Sequence, residues 1–167
     1  LYLGSSLAFS QTLTVNNDVQ TLASLTNTAA TLTGKAELRI TGTGDPIPGC
    51  TIALNSTDAW LFMTNIAPAT VSSTFLSRVT VNGAAAVLDT NVRVVQYGIG
   101  AVVIPHASTF APMTVFEGRS FTGNSRSLTP YTAYGWAELG TLNDSISSFK
   151  LKRGYMATLA QNSDGTG

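Results

Sequence analysis

The chain has 167 residues and carries nine Lys and Arg against nine Asp and Glu, so its formal net charge is zero. A neutral chain lacks the basic surface of a nucleic-acid binder or a cationic membrane anchor, and no run of about 18 apolar residues is present that could span a bilayer. With 44% hydrophobic and 11% charged residues, we expect a packed protein whose surface is polar mainly through Thr, Ser and Asn, as is common in secreted β proteins.

Alternation of apolar and polar residues, the pattern of half-buried β-strands, dominates the N-terminal part of the chain. It predicts strands within 11–17, 35–42, 50–56 and 77–83. Gly, Pro, Asn and Asp gather between these runs and favour turns at 42–49, 65–69 and 82–83. Helical patterns are scarce, and only 18–27 and 136–142 are short candidates. The expected fold class is therefore all-β.

The strand pattern is interrupted between Pro105 and Pro112. This interruption predicts two domains, a strand-rich β domain at 1–111 and a second unit at 112–167. The segment 91–105 is apolar enough to be buried on both faces. The first domain is expected to be a β-sandwich or a short β-solenoid. No repeat of fixed length stands out, which favours the sandwich.

Side chains suited to catalysis are sparse. Cys50 is the only cysteine and has no neighbouring base, so we expect a small buried hydrophobe. His106 is the only histidine and is expected to be a structural residue. Trp60 lies in an alternating run and could stack on a sugar or pack in the core, and the core is favoured. Zinc and copper sites of the usual kinds are improbable, and a carboxylate pair for hydrolysis would have to be assembled by the fold.

Two short motifs in the second unit stand at a spacing that suits one structural motif. The first, at 116–123, has an aromatic at Phe116, an aromatic at Phe121 and a glycine at Gly123. The second, at 143–148, reads Asn, Asp, Ser, Ile, Ser, Ser. Together they resemble one Greek-key motif of the βγ-crystallin superfamily, of the microbial type that binds calcium, extending over about 113–154. The second motif matches that family's calcium loop at all six positions.

The resemblance implies a βγ-crystallin-like Greek-key unit with a calcium site. It assigns the Ser145 carbonyl and the Ser147 hydroxyl to direct ligation and Ser148 to support. The residues it implicates are Asn143, Asp144, Ser145, Ser147, Ser148 and Glu117. Asn143 and Asp144 would organise the loop, and Glu117 lies in the hairpin from which family sites draw a carbonyl. A second motif starting at Tyr155 is incomplete, so we expect affinity in the range of about 10⁻⁴ to 10⁻³ M.

Aromatic residues in the turn-rich segment that precedes the calcium motif are candidates for sugar binding. Tyr131, Tyr134 and Trp136 lie within six residues of one another, and aromatic faces stack on the apolar faces of sugar rings. The resemblance leaves a second interpretation open for Trp136, because βγ-crystallin motifs use aromatics in this region for core packing.

The segments at 51–68 and 91–106, followed by the crystallin motif, resemble the non-catalytic modules that precede the catalytic domain in large secreted bacterial glycoside hydrolases, over roughly 38–167. The resemblance implies a carbohydrate-binding accessory module, secreted with an adjoining catalytic domain, that takes a polysaccharide such as a β-glucan and calcium. It implies neither a nucleic-acid nor a membrane partner. One alternative is a purely structural calcium-binding βγ-crystallin-like domain without a sugar ligand. Another is a small glycoside hydrolase or lyase whose acids converge in three dimensions.

Overall fold

A computed structural model describes residues 11–106, 111–129, 133–162 and 166. It consists mostly of β-strands with a few short helical turns, as the composition and alternation predicted. The chain divides into two compact units, Leu1–Ser108 and Thr109–Gly167, whereas the sequence placed the boundary near Ala111. Within the described ranges, no helix is long and apolar enough to cross a membrane.

The first unit contains ten described strands and one short helical segment. The strands are β1 (Gln11–Asn16), β2 (Val19–Leu22), β3 (Thr28–Thr33), β4 (Glu37–Ile40), β5 (Thr51–Leu54), β6 (Trp60–Met63), β7 (Val79–Val81), β8 (Ala84–Ala85), β9 (Val92–Tyr97) and β10 (Gly100–Pro105). Between β6 and β7, helix α1 (Pro68–Thr70) continues into a π-helical turn (Val71–Phe75) and a 3₁₀ turn (Leu76–Arg78).

Strands β1 to β7 alternate between two sheets, β8 joins the first sheet, and β9 and β10 join the second. The strand orders are β1-β3-β5-β7-β8 and β2-β4-β6-β10-β9. The pairs β1 with β3, β3 with β5 and β5 with β7 are parallel, as are β2 with β4 and β4 with β6. This pairing is that of a β-solenoid, so the favoured sandwich was the wrong alternative. Alternation marks a half-buried strand but does not reveal the direction of its neighbour.

The coils differ in length, which explains why no repeat was visible in the sequence. In the first sheet Gln11 pairs with Thr28, Ala29 with Thr51 and Ile52 with Val79, so successive coils advance by 17, 22 and 27 residues. The added length forms the 42–50 loop and the helical segment at 68–78.

The core of the first unit lies between the inner faces of the two sheets. The buried side chains form rows across the coils, because parallel register places equivalent inward positions side by side. They include Leu32, Leu54 and Val81 from the first sheet and Leu38, Leu61 and Val103 from the second. Cys50 is also buried, and its Sγ accepts a hydrogen bond from the Thr28 N–H at 3.4 Å, which confirms its assignment as a buried side chain.

Two features of the first unit correct or refine the sequence predictions. Helix was a candidate for 18–27, but Val19–Leu22 forms β2 because it pairs in parallel with β4, and this pairing outweighs weak local helix propensity. The segment 91–105 forms the antiparallel pair β9 and β10. All six residues of β10 are buried, as predicted, whereas most of β9 is partly or fully exposed.

Corners of the solenoid are built from stacked residues with positive φ. Asn17 turns the chain from β1 to β2 at φ 51°, and Gly34 turns it from β3 to β4 at φ 61°. The Asn17 Oδ1 accepts a hydrogen bond from the Lys35 N–H at 2.9 Å. A methyl group on Gly34 would lie 2.1 Å from that Oδ1.

We expect Gly34→Ala to lower the free energy of unfolding by about 2 kcal/mol, because it combines left-handed strain with the loss of the Asn17 cap. Gly44→Ala is the matched control: φ is +72° there, but a methyl group would meet nothing within 4 Å. The control should cost about 1 kcal/mol. Urea unfolding of both variants checks the difference, and equal losses would show that the corner contact contributes nothing.

The second unit contains a three-stranded antiparallel sheet. Its strands are β11 (Met113–Phe116), β12 (Ser125–Leu128) and β13 (Ser148–Leu151), with β11 in the centre. Helix α2 (Trp136–Leu139) and a 3₁₀ turn (Gly140–Leu142) lie between β12 and β13, where the sequence indicated a short helix. A small core forms from Met113, Val115 and Leu142.

Candidate functional site

The hairpin between β11 and β12 is tightly folded. Ser120 and Phe121 have φ of 56° and 63°, and Gly123 has φ of 76°. This conformation brings the rings of Phe116 and Phe121 together edge to face, with centroids 5.7 Å apart. A methyl group on Gly118 would lie 2.4 Å from Oγ1 of Thr122, so this glycine gives the hairpin room to close.

The bend at 143–148 is anchored by its neighbours in sequence. Leu142, just before it, is 4% exposed and packs in the small core. Asp144 has φ of 58°, and the Asn143 side-chain amide donates to its carboxylate at 2.7 Å. The Ser145 hydroxyl donates to the Asn143 carbonyl at 3.3 Å. Asn143 and Asp144 therefore shape the start of the bend.

Three hydrogen bonds join the bend to the hairpin. The Ser147 N–H donates to the Phe116 carbonyl at 2.9 Å. The Ser148 hydroxyl donates to the Gly118 carbonyl at 2.7 Å and accepts from the Phe121 N–H at 3.1 Å. The structure thus brings the two sequence motifs together. Glu117 lies in sequence between the two residues whose carbonyls accept bonds from Ser147 and Ser148.

Oxygen atoms are the groups this junction could offer to a cation. The Ser147 Oγ lies 3.5 Å from the Ser145 carbonyl oxygen. Two oxygens each about 2.4 Å from one Ca²⁺ and about 90° apart are about 3.4 Å from each other, so this pair fits one ion. In the described part of the chain no three His, Cys, Asp or Glu side chains cluster, so any site here would need hydroxyl and carbonyl oxygens in addition to carboxylate.

Glu117 is bonded to Asn124 within the hairpin. Its carboxylate accepts a hydrogen bond from the Asn124 side-chain amide at 2.8 Å, and its backbone N–H donates to the Asn124 carbonyl at 2.9 Å. These bonds fix the backbone of Glu117. The sequence resemblance implicated a carbonyl of this hairpin.

A lysine that the sequence analysis did not single out lies over the hairpin aromatics. The Lys150 Nζ is 4.7 Å from the Phe121 ring centroid and 5.6 Å from that of Phe116. Such cation–π contacts contribute about 0.5 to 1 kcal/mol at exposed sites. Lys150 belongs to β13 and is paired with Thr114, and only this strand register brings it over the rings.

The proposed sugar-binding aromatics differ in their surroundings. Tyr131 lies outside the described residues. Trp136, at the start of α2, is 73% exposed, so its side chain is on the surface and not in the core of the unit. Tyr134 is half-buried.

Tyr134 is held in place by residues that sequence reasoning missed. Its hydroxyl accepts from the Thr129 N–H at 2.9 Å and lies 2.8 Å from the Thr129 hydroxyl, while the Arg126 guanidinium is 5.8 Å from its ring centroid. These hydrogen bonds, with a contribution from the Arg126 charge, lower the pKa of the Tyr134 hydroxyl. Arg126 also donates to the Glu138 carbonyl, so it links β12 to the helix that carries Trp136. No sequence spacing signals these contacts.

Aromatic residues also cluster in the first unit, on the outer face of the second sheet. Trp60 and Phe62 are each 4% exposed and pack with Val102 and Ile104, which confirms the assignment of Trp60 to the core. The Phe62 ring meets Tyr97 edge to face at 4.9 Å. Because the Trp60 and Phe62 rings are covered, they offer no stacking surface.

The single histidine is buried at the end of β10. His106 is 5% exposed, and its backbone N–H donates to the Asn91 carbonyl at 2.8 Å. Burial lowers the pKa of the His106 imidazole, and the charge of Arg93 lowers it further, against an opposing effect of Asp89. The burial fits the structural role expected from the sequence.

This histidine should make the first unit sensitive to mild acid. The unfolded chain takes up the imidazole proton below about pH 6.5, whereas the folded chain takes it up only at lower pH, so stability falls as pH decreases through this window. We expect unfolding free energy to fall between about pH 7.5 and 5.5, and His106→Gln to reduce that fall. Urea unfolding at both pH values measures it. An equal fall in both proteins would contradict this role.

Comparison with known proteins adds no relative. No protein-family model matches the chain, and no curated protein or solved structure matches it significantly. Function must therefore be argued from the residues.

Proposed function

We propose that this chain is a non-catalytic carbohydrate-binding module of a secreted polysaccharide-degrading enzyme, and that its second unit holds a weak calcium site that stabilises the fold. The observation that carries the proposal is the junction of the 143–148 bend with the hairpin, because it brings together hydroxyl and carbonyl oxygens that could bind a cation. Three further arguments support the proposal.

The first argument is strand order. A Greek key has four antiparallel strands in the spatial order 4-1-2-3. The order β13-β11-β12 corresponds to 4-1-2, and the folded hairpin with paired aromatics lies between the first two strands. Among the described residues between β12 and β13, a helix and a 3₁₀ turn stand where a third strand would be. This order supports the proposed crystallin-like motif, of which the described residues supply three of the four strands.

The second argument is the chemistry of the ligands. Ca²⁺ takes six to eight oxygens in flexible geometry. The Ser145 carbonyl and Ser147 hydroxyl already have a separation compatible with shared ligation, and the Glu117 carbonyl belongs to the adjoining hairpin. Asp144 supplies the only acidic side chain of the bend. With few protein ligands and one carboxylate, the affinity would be about 10⁻⁴ to 10⁻³ M.

The third argument concerns the sugar ligand. Trp136 exposes a large aromatic face, and Arg126 links β12 to the helix that carries it. An exposed indole is suited to stacking on the apolar face of a pyranose ring. A polysaccharide such as a β-glucan is the proposed partner, bound next to a catalytic domain elsewhere in the parent protein.

A structural calcium-binding domain without a sugar ligand is the second candidate. Phe121, Phe149 and Trp136 are 47%, 44% and 73% exposed around a small core, and these aromatics could instead pack against other protein. In that case the calcium site would remain and sugar binding would be absent.

Thermal melts with calcium and with chelator test the cation. With a Kd of about 1 mM, about 10 mM Ca²⁺ should stabilise the chain by about 1.4 kcal/mol, while the same concentration of Mg²⁺ should have less effect because Mg²⁺ demands stricter geometry. An unchanged midpoint would remove calcium from the proposal.

Depletion by insoluble glucan, xylan and chitin tests the sugar. We expect retention on at least one of them, and Trp136→Ala to reduce it while Trp60→Phe, in the buried cluster, leaves it unchanged. If the chain binds none of the three polysaccharides but the calcium shift is retained, the structural domain is favoured. Release of reducing sugars would support the hydrolase alternative.

A further inference from the structure

The outward face of the first sheet of the solenoid has an unusual composition. Inward and outward positions alternate along each strand, and the outward positions of β1, β3, β5 and β7 hold only threonine, alanine and asparagine. The outward threonines, which we call the threonine array, are Thr12, Thr14, Thr31, Thr33, Thr51 and Thr80.

The register arranges these residues in rows that cross the strands. One row contains Thr12, Ala29 and Thr51. The next contains Thr14, Thr31, Ala53 and Thr80. A third contains Asn16 paired with Thr33. Neighbouring parallel strands are about 4.8 Å apart and outward positions along a strand about 6.6 Å apart, so the array is a regular two-dimensional net.

Each threonine in the net presents a methyl group and a hydroxyl in a restricted orientation, because a β-branched side chain is stiff at χ1. The Thr33 hydroxyl bonds to the Asn16 side chain at 3.0 Å. In the described part of the chain, the hydroxyls of the other five threonines form no hydrogen bond within the protein. These five hydroxyls are therefore available to an external lattice of hydrogen-bonding groups.

High β-propensity alone does not explain this face, since the second sheet of the same solenoid has a different outer surface. There the equivalent positions of β2, β4 and β6 hold one threonine among six residues, which are Val19, Thr21, Glu37, Arg39, Trp60 and Phe62, and Glu37 and Arg39 form an ion pair of 2.6 Å. Threonine is enriched on one sheet only, although both sheets demand β-formers.

The composition of the array also narrows the class of partner. Protein interfaces are enriched in aromatic residues, Met and Arg, and sugar sites rely on aromatic faces, but the array has none of these. It has no charge that would attract an ion. Regularly spaced hydroxyls and methyls instead match an ordered lattice of water, whose oxygens repeat at similar spacings on the faces of ice.

We propose that the threonine array binds the surface of ice. The hydroxyls hydrogen-bond to lattice water, and the methyl groups fit between the oxygen rows and order the water next to them. This activity is independent of the calcium and sugar sites, because every residue that carries it belongs to the first unit.

Inhibition of ice recrystallisation by the full chain tests the proposal directly. A concentrated sucrose solution is frozen and annealed below its melting point with the chain at increasing concentration, and crystal size is measured with time. We expect the chain to keep the crystals small at micromolar concentration and to be enriched in slowly grown ice. Buffer with an equal mass of an unrelated globular protein is the reference.

Variants locate the activity on the array. The double variant Thr14→Lys with Thr31→Lys places bulky charges in its centre, and we expect the effective concentration to rise by about tenfold or more, about 1.4 kcal/mol of binding free energy. Thr21→Lys is the matched control, since Thr21 is exposed on the other sheet and should be without effect. Circular dichroism and melting temperature establish whether the variants are folded. If the double variant does not fold, Thr31→Val replaces it, because valine retains the methyl group and removes only the hydroxyl.

Three results would overturn the proposal. The first is the absence of any effect of the unmodified chain on crystal growth, which needs no variant to interpret. The second is equal activity of the folded double variant and the unmodified chain. The third is binding to crystalline chitin or cellulose that the double variant loses while ice growth is unaffected, which would make the array a polysaccharide surface.

Discussion

Replacing Gly100 by alanine should destabilise the first unit by about 3 kcal/mol, the upper part of the usual range for overpacking. A methyl group at this position would lie 2.3 Å from the carbonyl oxygen of Met63 and 2.3 Å from both carbonyl atoms of Thr64. Those atoms belong to backbone and cannot rotate away. Strand β10 would have to move from β6, which would loosen the second sheet around buried Val102 and Val103.

The turn that joins β9 to β10 offers a control for the Gly100 variant. Gly98 has φ of +61° and a methyl group there would meet nothing within 4 Å, so Gly98→Ala pays only for backbone strain, about 1 kcal/mol. Urea denaturation followed by tryptophan fluorescence reports the first unit through the buried Trp60. If the two variants lost similar stability, the close approach of β10 to β6 would be incorrect.

Ser148→Ala should have the largest effect in the second unit, at about 2 kcal/mol. The substitution removes the hydroxyl that bonds both the Gly118 carbonyl and the Phe121 N–H, and each lost hydrogen bond costs about 1 kcal/mol. The hairpin would then lose its connection to β13 through this side chain. Hydrogen exchange at the Phe121 amide should accelerate, because that N–H loses its acceptor.

Ser147→Ala separates stability from calcium binding. The Ser147 hydroxyl has only a long contact of 3.5 Å with the Ser145 carbonyl, so its loss should change the calcium-free stability by less than about 0.5 kcal/mol. Its loss should nevertheless weaken calcium binding, since it removes a proposed ligand. Equal destabilisation by the two serine variants in chelator would contradict these distinct roles.

The strands of the first unit were predictable because alternation records which faces are buried. The runs at 11–17, 35–42, 50–56 and 77–83 all contain observed strands. Their pairing was not predictable from alternation, since the same pattern suits a parallel coil or an antiparallel sandwich. Coils of unequal length then hid the repeat that would have distinguished them.

The β1 to β2 connection shows why the local signals were ambiguous. Only Asn17 and Asp18 separate these strands, a length typical of a hairpin. Here the positive φ of Asn17 turns a corner instead, and the two strands join different sheets. The decisive contact is made with Lys35 on the next coil, 18 residues away in sequence, which no local pattern encodes.

The candidate site was predictable to the extent that its two motifs carry local signatures. Gly123 requires a positive φ and the Asn-Asp-Ser run favours a bend, and both sequence features have local physical causes. The contacts of Arg126 and Thr129 with Tyr134, and of Lys150 with Phe121, depend on strand register and on the path of the chain after β12. Such details follow from tertiary packing and were therefore missed.

Calcium titration observed by ¹H–¹⁵N NMR tests the central claim most directly. The account predicts that amide signals of 116–123 and 143–148 shift together and saturate at millimolar Ca²⁺, that signals of the first unit stay unchanged, and that Ser147→Ala weakens the response. Shifts scattered over exposed carboxylates such as Asp18, or no shift at the bend and hairpin at millimolar Ca²⁺, would contradict it.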